Sequence, residues 1–390
     1  MTLGRRPPPD REASDLLPVL EHMDIERFDL ERWQSVYEHD VAVNLSESGV
    51  HPLRLQELIE ATDLEDLLSQ QLAYTQTNGT AILREKVAAL YDSACAANVL
   101  ITNGGSEANF VACWHLITPG DEVVIVQPTY MQIPEVARSF GATVHEVWLE
   151  ANPAKWHLDL DVVRAAVTPR TRFIAVCNPN NPTGARLNTA AVTGLCSIAA
   201  KYGCWLLADE IYRGAELDGR NTPSAWNHYE RVIVTGGLSK AYGLPGLRVG
   251  WLVGHPHVIE KLWGKRDYTT IAPGAINDLL ARRALEPKRR ERLLARTRRI
   301  LRKNQAIVDA WVTDQPGVHQ IPPEAGGVTL IRYRGNRGSI ELAETMRTQH
   351  GVLIVPGSHF KLDQHLRVGI GGEPEPLRDG LTKLAEALGF

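Results

Sequence analysis

The sequence predicts an α/β protein: a large domain with a mostly parallel seven-stranded sheet flanked by helices, plus a smaller α+β domain made from the N- and C-terminal parts. Three observations predict it. Seven short apolar runs rich in β-branched residues recur between residues 98 and 254, each bounded by Gly, Pro or Asn, as buried strands are. Amphipathic segments separate the runs, and strands alternating with helices form right-handed crossovers that cover both faces of a parallel sheet. At 390 residues, with 44% hydrophobic and 23% charged, the chain is long and apolar enough to bury a core without disulfides or structural metals.

In chain order, residues 1–20 are charged and Pro-rich, with no apolar stretch of the kind a signal peptide needs. They read as a mobile or docking arm, and the segment up to about residue 60 as packing against the small lobe. The seven runs are VLIT (99–102), EVVIV (122–126), TVHEVWL (143–149), RFIAVC (172–177), WLLAD (205–209), RVIVTG (231–236) and RVGWLV (248–253). Between them, Asn188 reads as the N-cap of TAAVTGLCSIAAKY, with Gly203 as its C′ stop, and Asp159 or Asp161 caps DVVRAAV. Residues 275–312 read as one long Arg-rich helix bridging two lobes; its glutamates offset the arginines, which argues for a solvated helix rather than a nucleic-acid patch. GGVTLIRY, IELAETMRTQHG, GVLIVPG, LRVGIGG and a last helix then make the small lobe. The expected division is 1–60, arm and part of the small domain; 61–275, large domain; 276–390, interdomain helix and small domain.

Composition narrows the function classes. A net charge of −4 argues against a nucleic-acid partner, since phosphate binding needs concentrated Lys and Arg. Cys95, Cys113, Cys177, Cys196 and Cys204 form no CxxC pair and no ligand-like spacing with His, so they read as buried thiols in a reducing compartment. None of the 13 His stands in an HExxH pattern, and no metal is expected. No apolar run reaches the ~18 residues of a membrane span, and the expected location is the cytoplasm.

Ligands of open α/β sheets bind outside the carboxyl ends of the strands, where this chain places TNGGSEAN, QPTY, CNPNNPTG, DEIY and GGLSKAYGLPGLRVGW. Lys240 follows a buried strand. Alone it also fits a solvated loop, but a desolvated lysine has a lowered pKa and the free amine that a Schiff base requires. Arg248, eight residues on, suits a phosphate, and the N–H groups of Gly104, Gly105 and Ser106 open a helix whose positive end suits the same anion. Asp209 ends an apolar strand, where it either caps the next turn or meets a cation such as a protonated pyridine nitrogen.

In this order and spacing, NPNNPTG, DEIY and SKAYGLPGLRVG resemble the pyridoxal-phosphate enzymes of fold type I, and among them the class I and II aminotransferase family, over Tyr74 to Arg367. The resemblance implies pyridoxal 5′-phosphate as cofactor, an aldimine with Lys240 that also moves the substrate proton, and Asp209 on the ring nitrogen. It implies Tyr212 and Asn181 on the phenolic oxygen, Tyr130 stacked on the ring, and Gly104, Gly105, Ser106, Ser239 and Arg248 around the phosphate. Arg367, with Asn181 and Gly49, would bind the amino-acid substrate, and Tyr74 would reach a neighbouring subunit's phosphate, implying a homodimer with shared sites.

The chain departs from the family pattern at three places. Gly237 stands where a hydroxyl residue often binds the phosphate; NLSESGVHPL replaces a G-x-P loop; and GVH, KRDYTT and GVLIVPG resemble the branch that includes capreomycidine synthase, a cyclising enzyme of antibiotic pathways. The expected activity is transamination, with β- or γ-elimination, replacement or cyclisation on the same site as the alternative. A ligand-sensing regulator is disfavoured, since about 40 residues before Val41 leave no room for a DNA-binding domain. Substrate side-chain contacts are expected from 44–54, Tyr130, Arg213, Tyr268 and the region of His359; Arg213 or His51 would meet an acidic or polar side chain, unless each is a solvated loop residue.

Overall fold

The computed structural model describes residues 25–389, so the arm expected over 1–20 lies outside the described residues. The first elements are α1 (Asp29–Tyr37), β1 (Val43–Asn44) and α2 (Ala81–Ala88). The βα alternation follows: β2 (Val99–Thr102), α3 (Gly105–Leu116), β3 (Glu122–Gln127), α4 (Gln132–Ser139), β4 (Thr143–Trp148), α5 (Leu160–Ala166), β5 (Thr171–Cys177), α6 (Thr189–Tyr202), β6 (Trp205–Asp209), β7 (Val232–Gly237) and β8 (Gly250–Val253). Then come α7 (Pro256–Arg266), α8 (Ala275–Ala284), α9 (Pro287–Asp314), β9 (Val318–Gln320), β10 (Val328–Tyr333), α10 (Ser339–His350), β11 (Val352–Leu353), β12 (Val355–Pro356), β13 (His365–Gly369) and α11 (Pro374–Leu388).

All seven apolar runs pair into one seven-stranded sheet, in the order β2-β8-β7-β6-β5-β3-β4. Every pair is parallel except those of β8, which runs against both β2 and β7. That exception follows from the link between β7 and β8: residues 238–249 turn straight back at the end of β7 instead of crossing over through a helix. Side chains alternate between the two covered faces. Leu100, Ile125, Phe173, Leu207 and Ile233 pack with α3, α4 and α7, whereas Ile101, Val124, Val126, Ile174, Leu206 and Val234 pack with α2, α5, α6 and α8. The edge strand β4 departs from the expectation of full burial, whereas β2 at the other edge is buried throughout.

The expected caps of α6 and α5 are present. The Asn188 side chain accepts the Ala191 N–H, Gly203 takes the left-handed conformation, and Asp159, rather than Asp161, caps α5. The single helix expected over 275–312 is instead two, α8 and α9. Pro287 begins α9 and forces the preceding Glu286 into an extended conformation, which ends the earlier helix. The arginines here bind the chain itself: Arg283 pairs with Asp63, Asp66 and Glu286, Arg289 with Asp63 and Glu60, and Arg298 with Glu216. Farther along α9, Asn304 Nδ2 donates to the Ile370 and Gly372 carbonyls, tying the helix to the second sheet.

That second sheet is antiparallel, in the order β9-β10-β13-β12. The N-terminal segment joins it from outside: β1 pairs parallel with β11, Trp33 Nε1 donates to the Ile354 carbonyl at 2.9 Å, and Leu30 packs on Val355 and Phe360. Of the five cysteines, Cys95 is exposed and the other four are buried; none is in a disulfide. Among the described residues no helix is long and apolar enough to cross a membrane, and no His, Cys, Asp and Glu group is placed to hold a metal ion.

The α9 anchor gives a testable sign. Burial would raise the Asp63 carboxyl, but the hydrogen bonds from Arg289 and the Glu60 N–H, with the charges of Arg289 and Arg283, hold it below its ordinary 3.8. Its stabilisation is therefore complete above the ordinary value and is lost as pH falls through the lower, folded one. Arg289→Ala is expected to cost about 2–3 kcal/mol at neutral pH and to lessen the loss of stability between neutral pH and about pH 2–3. Urea unfolding of both proteins across that range measures it.

Candidate active site

The carboxyl ends of β2, β3, β5, β6 and β7 open on one cavity of about 340 Å³, as a parallel sheet requires of its loops. Lys240 lies three residues beyond the end of β7, and its Nζ donates to Ser48 Oγ at 2.8 Å. Burial holds the amine below its ordinary range, against the opposing pull of Glu47. Gly49, beside Ser48, lies against the same lysine: a Cβ there would stand 3.6 Å from Lys240 Cδ and 3.4 Å from the Ser239 carbonyl.

Asp209 ends β6 and is 8% exposed. Its Oδ2 accepts Asn109 Nδ2 at 2.9 Å and its Oδ1 accepts the Ile211 N–H at 3.1 Å, while Asn109 Oδ1 accepts Thr235 Oγ1 at 2.7 Å. Burial pushes the carboxyl above its ordinary value although these neutral donors, and the Lys240 charge, pull it down. A carboxylate so placed is short of a cation.

The anion-binding end forms where α3 begins. Gly104 has φ +84°, and a Cβ on it would strike the Arg248 guanidinium, so only glycine lets that side chain lie against the first turn. Gly105, Ser106, Ser239 and Arg248 all line the cavity at this end, joining a guanidinium to the positive end of a twelve-residue helix. The Gly237 departure has a steric cause. A Cβ there would stand 2.9 Å from Ile211 Cδ1 and 3.0 Å from the Val249 carbonyl, so Ile211 fills the space a hydroxyl residue would need.

On the opposite side, Asn181, Tyr212 and Tyr130 line the cavity. Tyr212 is buried and its phenol is pushed above its ordinary range by that burial. The Asn181 loop is pinned by Asn180, whose Nδ2 donates to the Pro128 carbonyl at 3.0 Å and whose Oδ1 accepts Thr183 Oγ1 at 2.7 Å. Arg367, on β13, stands behind Asn181 and is 1% exposed; Nη1 donates to Asn181 Oδ1 at 3.1 Å and Nη2 to the Ser46 carbonyl. Its Nε has no partner among the described residues. Tyr130 packs on Phe28, ring centroids 4.8 Å apart, and its hydroxyl donates to Glu31 Oε1 at 2.6 Å.

Tyr74, expected to act on a neighbouring subunit, is 84% exposed and does not line the cavity of its own chain. Some expected substrate contacts are corrected. Arg213 donates to the Leu90 and Thr222 carbonyls away from the cavity, and His51 faces solvent near Glu373. Tyr268 is exposed with its edge toward Trp114, and His359 is packed on Trp33; neither reaches the cavity wall. Of the expected 44–54 segment, Glu47 lines the cavity and Ser48 meets Lys240, while Asn109, Glu31 and Ile211 join the wall without having been expected. Asn109 follows Gly105 by one helical turn, a spacing that puts both on one face. Ser48 and Glu47 lie inside NLSESG, already set apart by its departure, whereas nothing local marks Glu31.

The donor set fits pyridoxal 5′-phosphate: a phosphate for Arg248 and the α3 terminus, a ring nitrogen that protonates for Asp209, and an aldehyde for the Lys240 amine. Comparison with known proteins points the same way. A family model described as aminotransferase class I and II matches residues 41–384. Capreomycidine synthase of Streptomyces vinaceus is 32% identical over 366 residues, covering 92% of this chain and 93% of its own. The crystal structure of a pyridoxal-phosphate-dependent aminotransferase from Streptococcus suis superposes with a TM-score of 0.88 at 33% identity, covering 94% of this chain and 98% of that one. A pyridoxal-phosphate-dependent cyclase superposes with a TM-score of 0.83 at 29% identity, over 93% and 97%.

Because the Gly104 cradle leaves no room for a methyl group, Gly104→Ala is expected to displace Arg248 and weaken binding of pyridoxal 5′-phosphate at least about 10-fold. Titration of the apoprotein, followed by cofactor absorbance, reads this directly.

Proposed function

The chain belongs to the class I and II aminotransferase family, enzymes dependent on pyridoxal 5′-phosphate, and from that premise we propose that it transfers the amino group of an α-amino acid, with Lys240 as the proton carrier. One observation carries the reading: a single cavity gathers a desolvated amine, a buried carboxylate short of a cation and an anion cradle, with a buried guanidinium behind Asn181.

When bound, pyridoxal 5′-phosphate supplies a conjugated ring that takes up the electron pair left as a bond to the substrate α-carbon breaks. Asp209 keeps the positive charge on the ring nitrogen, held in place by Asn109 and the Ile211 N–H. Arg248, Ser239, Ser106 and the N–H groups after Gly104 would hold the phosphate, Tyr130 would cover the ring, and Tyr212 and Asn181 would hydrogen-bond the phenolic oxygen. Arg367, steadied by Asn181 and the Ser46 carbonyl, binds the α-carboxylate with Gly49 alongside. Once freed from its link to the cofactor, the Lys240 amine would take the proton from the substrate α-carbon and deliver it to the cofactor carbon on the far side of the substrate nitrogen, and its lowered basicity suits both halves of that task.

A second reading, elimination, replacement or cyclisation on the same residues, draws support from the likeness to capreomycidine synthase and to the cyclase. We read residues 61–275 as the cofactor-binding domain, with 1–60 and 276–390 supplying the arm, the interdomain helix and the small domain. The working form is a cytoplasmic homodimer in which Tyr74 completes the neighbouring subunit's phosphate site. Its exposure, beside the exposed Leu72 and Leu68, supports that role.

Lys240→Ala is expected to abolish the visible band of the bound cofactor, an unchanged spectrum refuting the assignment. For Asp209→Ala we expect a folded protein whose turnover falls at least about a hundredfold, checked by circular dichroism and steady-state rates. Mixing stoichiometric holoenzyme with amino acids and no keto acid separates the two readings. Transamination gives keto acid with the cofactor left as its amine, whereas ammonia or a cyclised product with the cofactor recovered as aldehyde selects the second.

A further inference from the structure

The residues assigned so far read the cofactor and the α-carboxylate, and none of them reads the substrate's side chain. Two more charged groups line the same cavity, Glu31 from α1 and Glu47 from the loop after β1. Glu31 is held by the Tyr130 hydroxyl, a neutral donor that orients the carboxylate without cancelling its charge. Among the described residues neither glutamate forms an ion pair.

Every nearby cation already has an anion to meet. Arg248 faces the phosphate, Arg367 the α-carboxylate, and Lys240 is either covalently linked or, once released, the proton carrier, while Asp209 answers the ring nitrogen. Pairing these off leaves two negative charges on the cavity wall, Glu31 beside Tyr130 and Glu47 on an exposed loop near Lys240. Such a pair repels an acidic side chain and gains nothing from an apolar one, whereas a cation is attracted by both. The one branched aliphatic side chain of the lining, Ile211, is packed beneath Gly105 and Gly237, toward the phosphate end. Arg213 and His51, which would suit an acidic side chain, are turned elsewhere.

We propose that Glu31 and Glu47 are specificity-determining residues that receive a cationic substrate side chain, an ammonium or a guanidinium; this rests on the amino-acid reading above. The opening of α1 thus belongs to the site through Glu31, ninety-nine residues from the tyrosine that holds it.

The test is an absorbance titration of the holoenzyme, which reads binding rather than turnover. L-arginine and L-lysine are compared with the uncharged L-citrulline and L-norleucine, and with L-glutamate. At least one cationic amino acid is expected to bind at least about 10-fold more tightly than its uncharged counterpart, and which one does so distinguishes guanidinium from ammonium. Glu47→Gln and Glu31→Gln should each narrow that ratio to under about threefold; glutamine at 31 keeps an acceptor for Tyr130, and the retained cofactor band shows that the variant is folded. A wild-type ratio near one, or a ratio unchanged in both variants, overturns the proposal. If the bound cofactor responds to norleucine or glutamate as strongly as to the cations, the charge inference alone fails. If the protein takes up no cofactor, or its cofactor answers to no amino acid, the parent reading fails with it.

Discussion

A buried carboxylate without a cation of its own, Asp209, is the constraint on which the rest of the site depends. Strand β6 carries it into the sheet's interior, where burial favours its neutral form. Asn109 of α3 and the Ile211 N–H just beyond β6 hold it in place, and Thr235 of β7 fixes Asn109 in turn. Stability alone would not select this arrangement, since an apolar residue at the end of a buried strand costs less than a carboxylate lacking a counter-ion. It becomes intelligible once a ring cation completes it.

The same logic organises what surrounds it. Strand β7, paired with β6, ends just before Lys240; the reversal into β8 then brings Arg248 back against the start of α3. A helical crossover at this point would carry Arg248 away, so the antiparallel exception in the sheet and the anion cradle have one cause. Arg367 comes from the second sheet, and its guanidinium is tied both to Asn181 and to the Ser46 carbonyl. The segment around β1 therefore contributes to the site by fixing Arg367 and by presenting Ser48 to Lys240.

Much of this was legible in the chain. WLLAD, CNPNNPTG and SKAYGLPGLRVG name the strand ends and their chemistry in consecutive residues, because in a parallel sheet a functional residue directly follows the strand that positions it. Gly237 was visible as a departure, but its cause was not: the side chain that fills the space belongs to Ile211, on another loop. Periodicity predicts one helix over the Arg-rich segment, but Pro287, through its missing N–H and its crowding of Glu286, divides it. Arg213 directly follows DEIY and still points away, since the sense in which a turn throws its side chains depends on contacts, here with the Leu90 and Thr222 carbonyls.

The strand segments, the caps, the lysine, the buried aspartate and the phosphate end all rest on residues near one another in the chain and are set locally. Tertiary structure alone decided that Glu31 meets Tyr130, that Ser48 reaches Lys240 and that Arg367 stands behind Asn181. Those contacts join segments roughly 100 to 200 residues apart. Local periodicity carries no information about such pairings; only the packing of the second sheet and its N-terminal strand against the first brings them together.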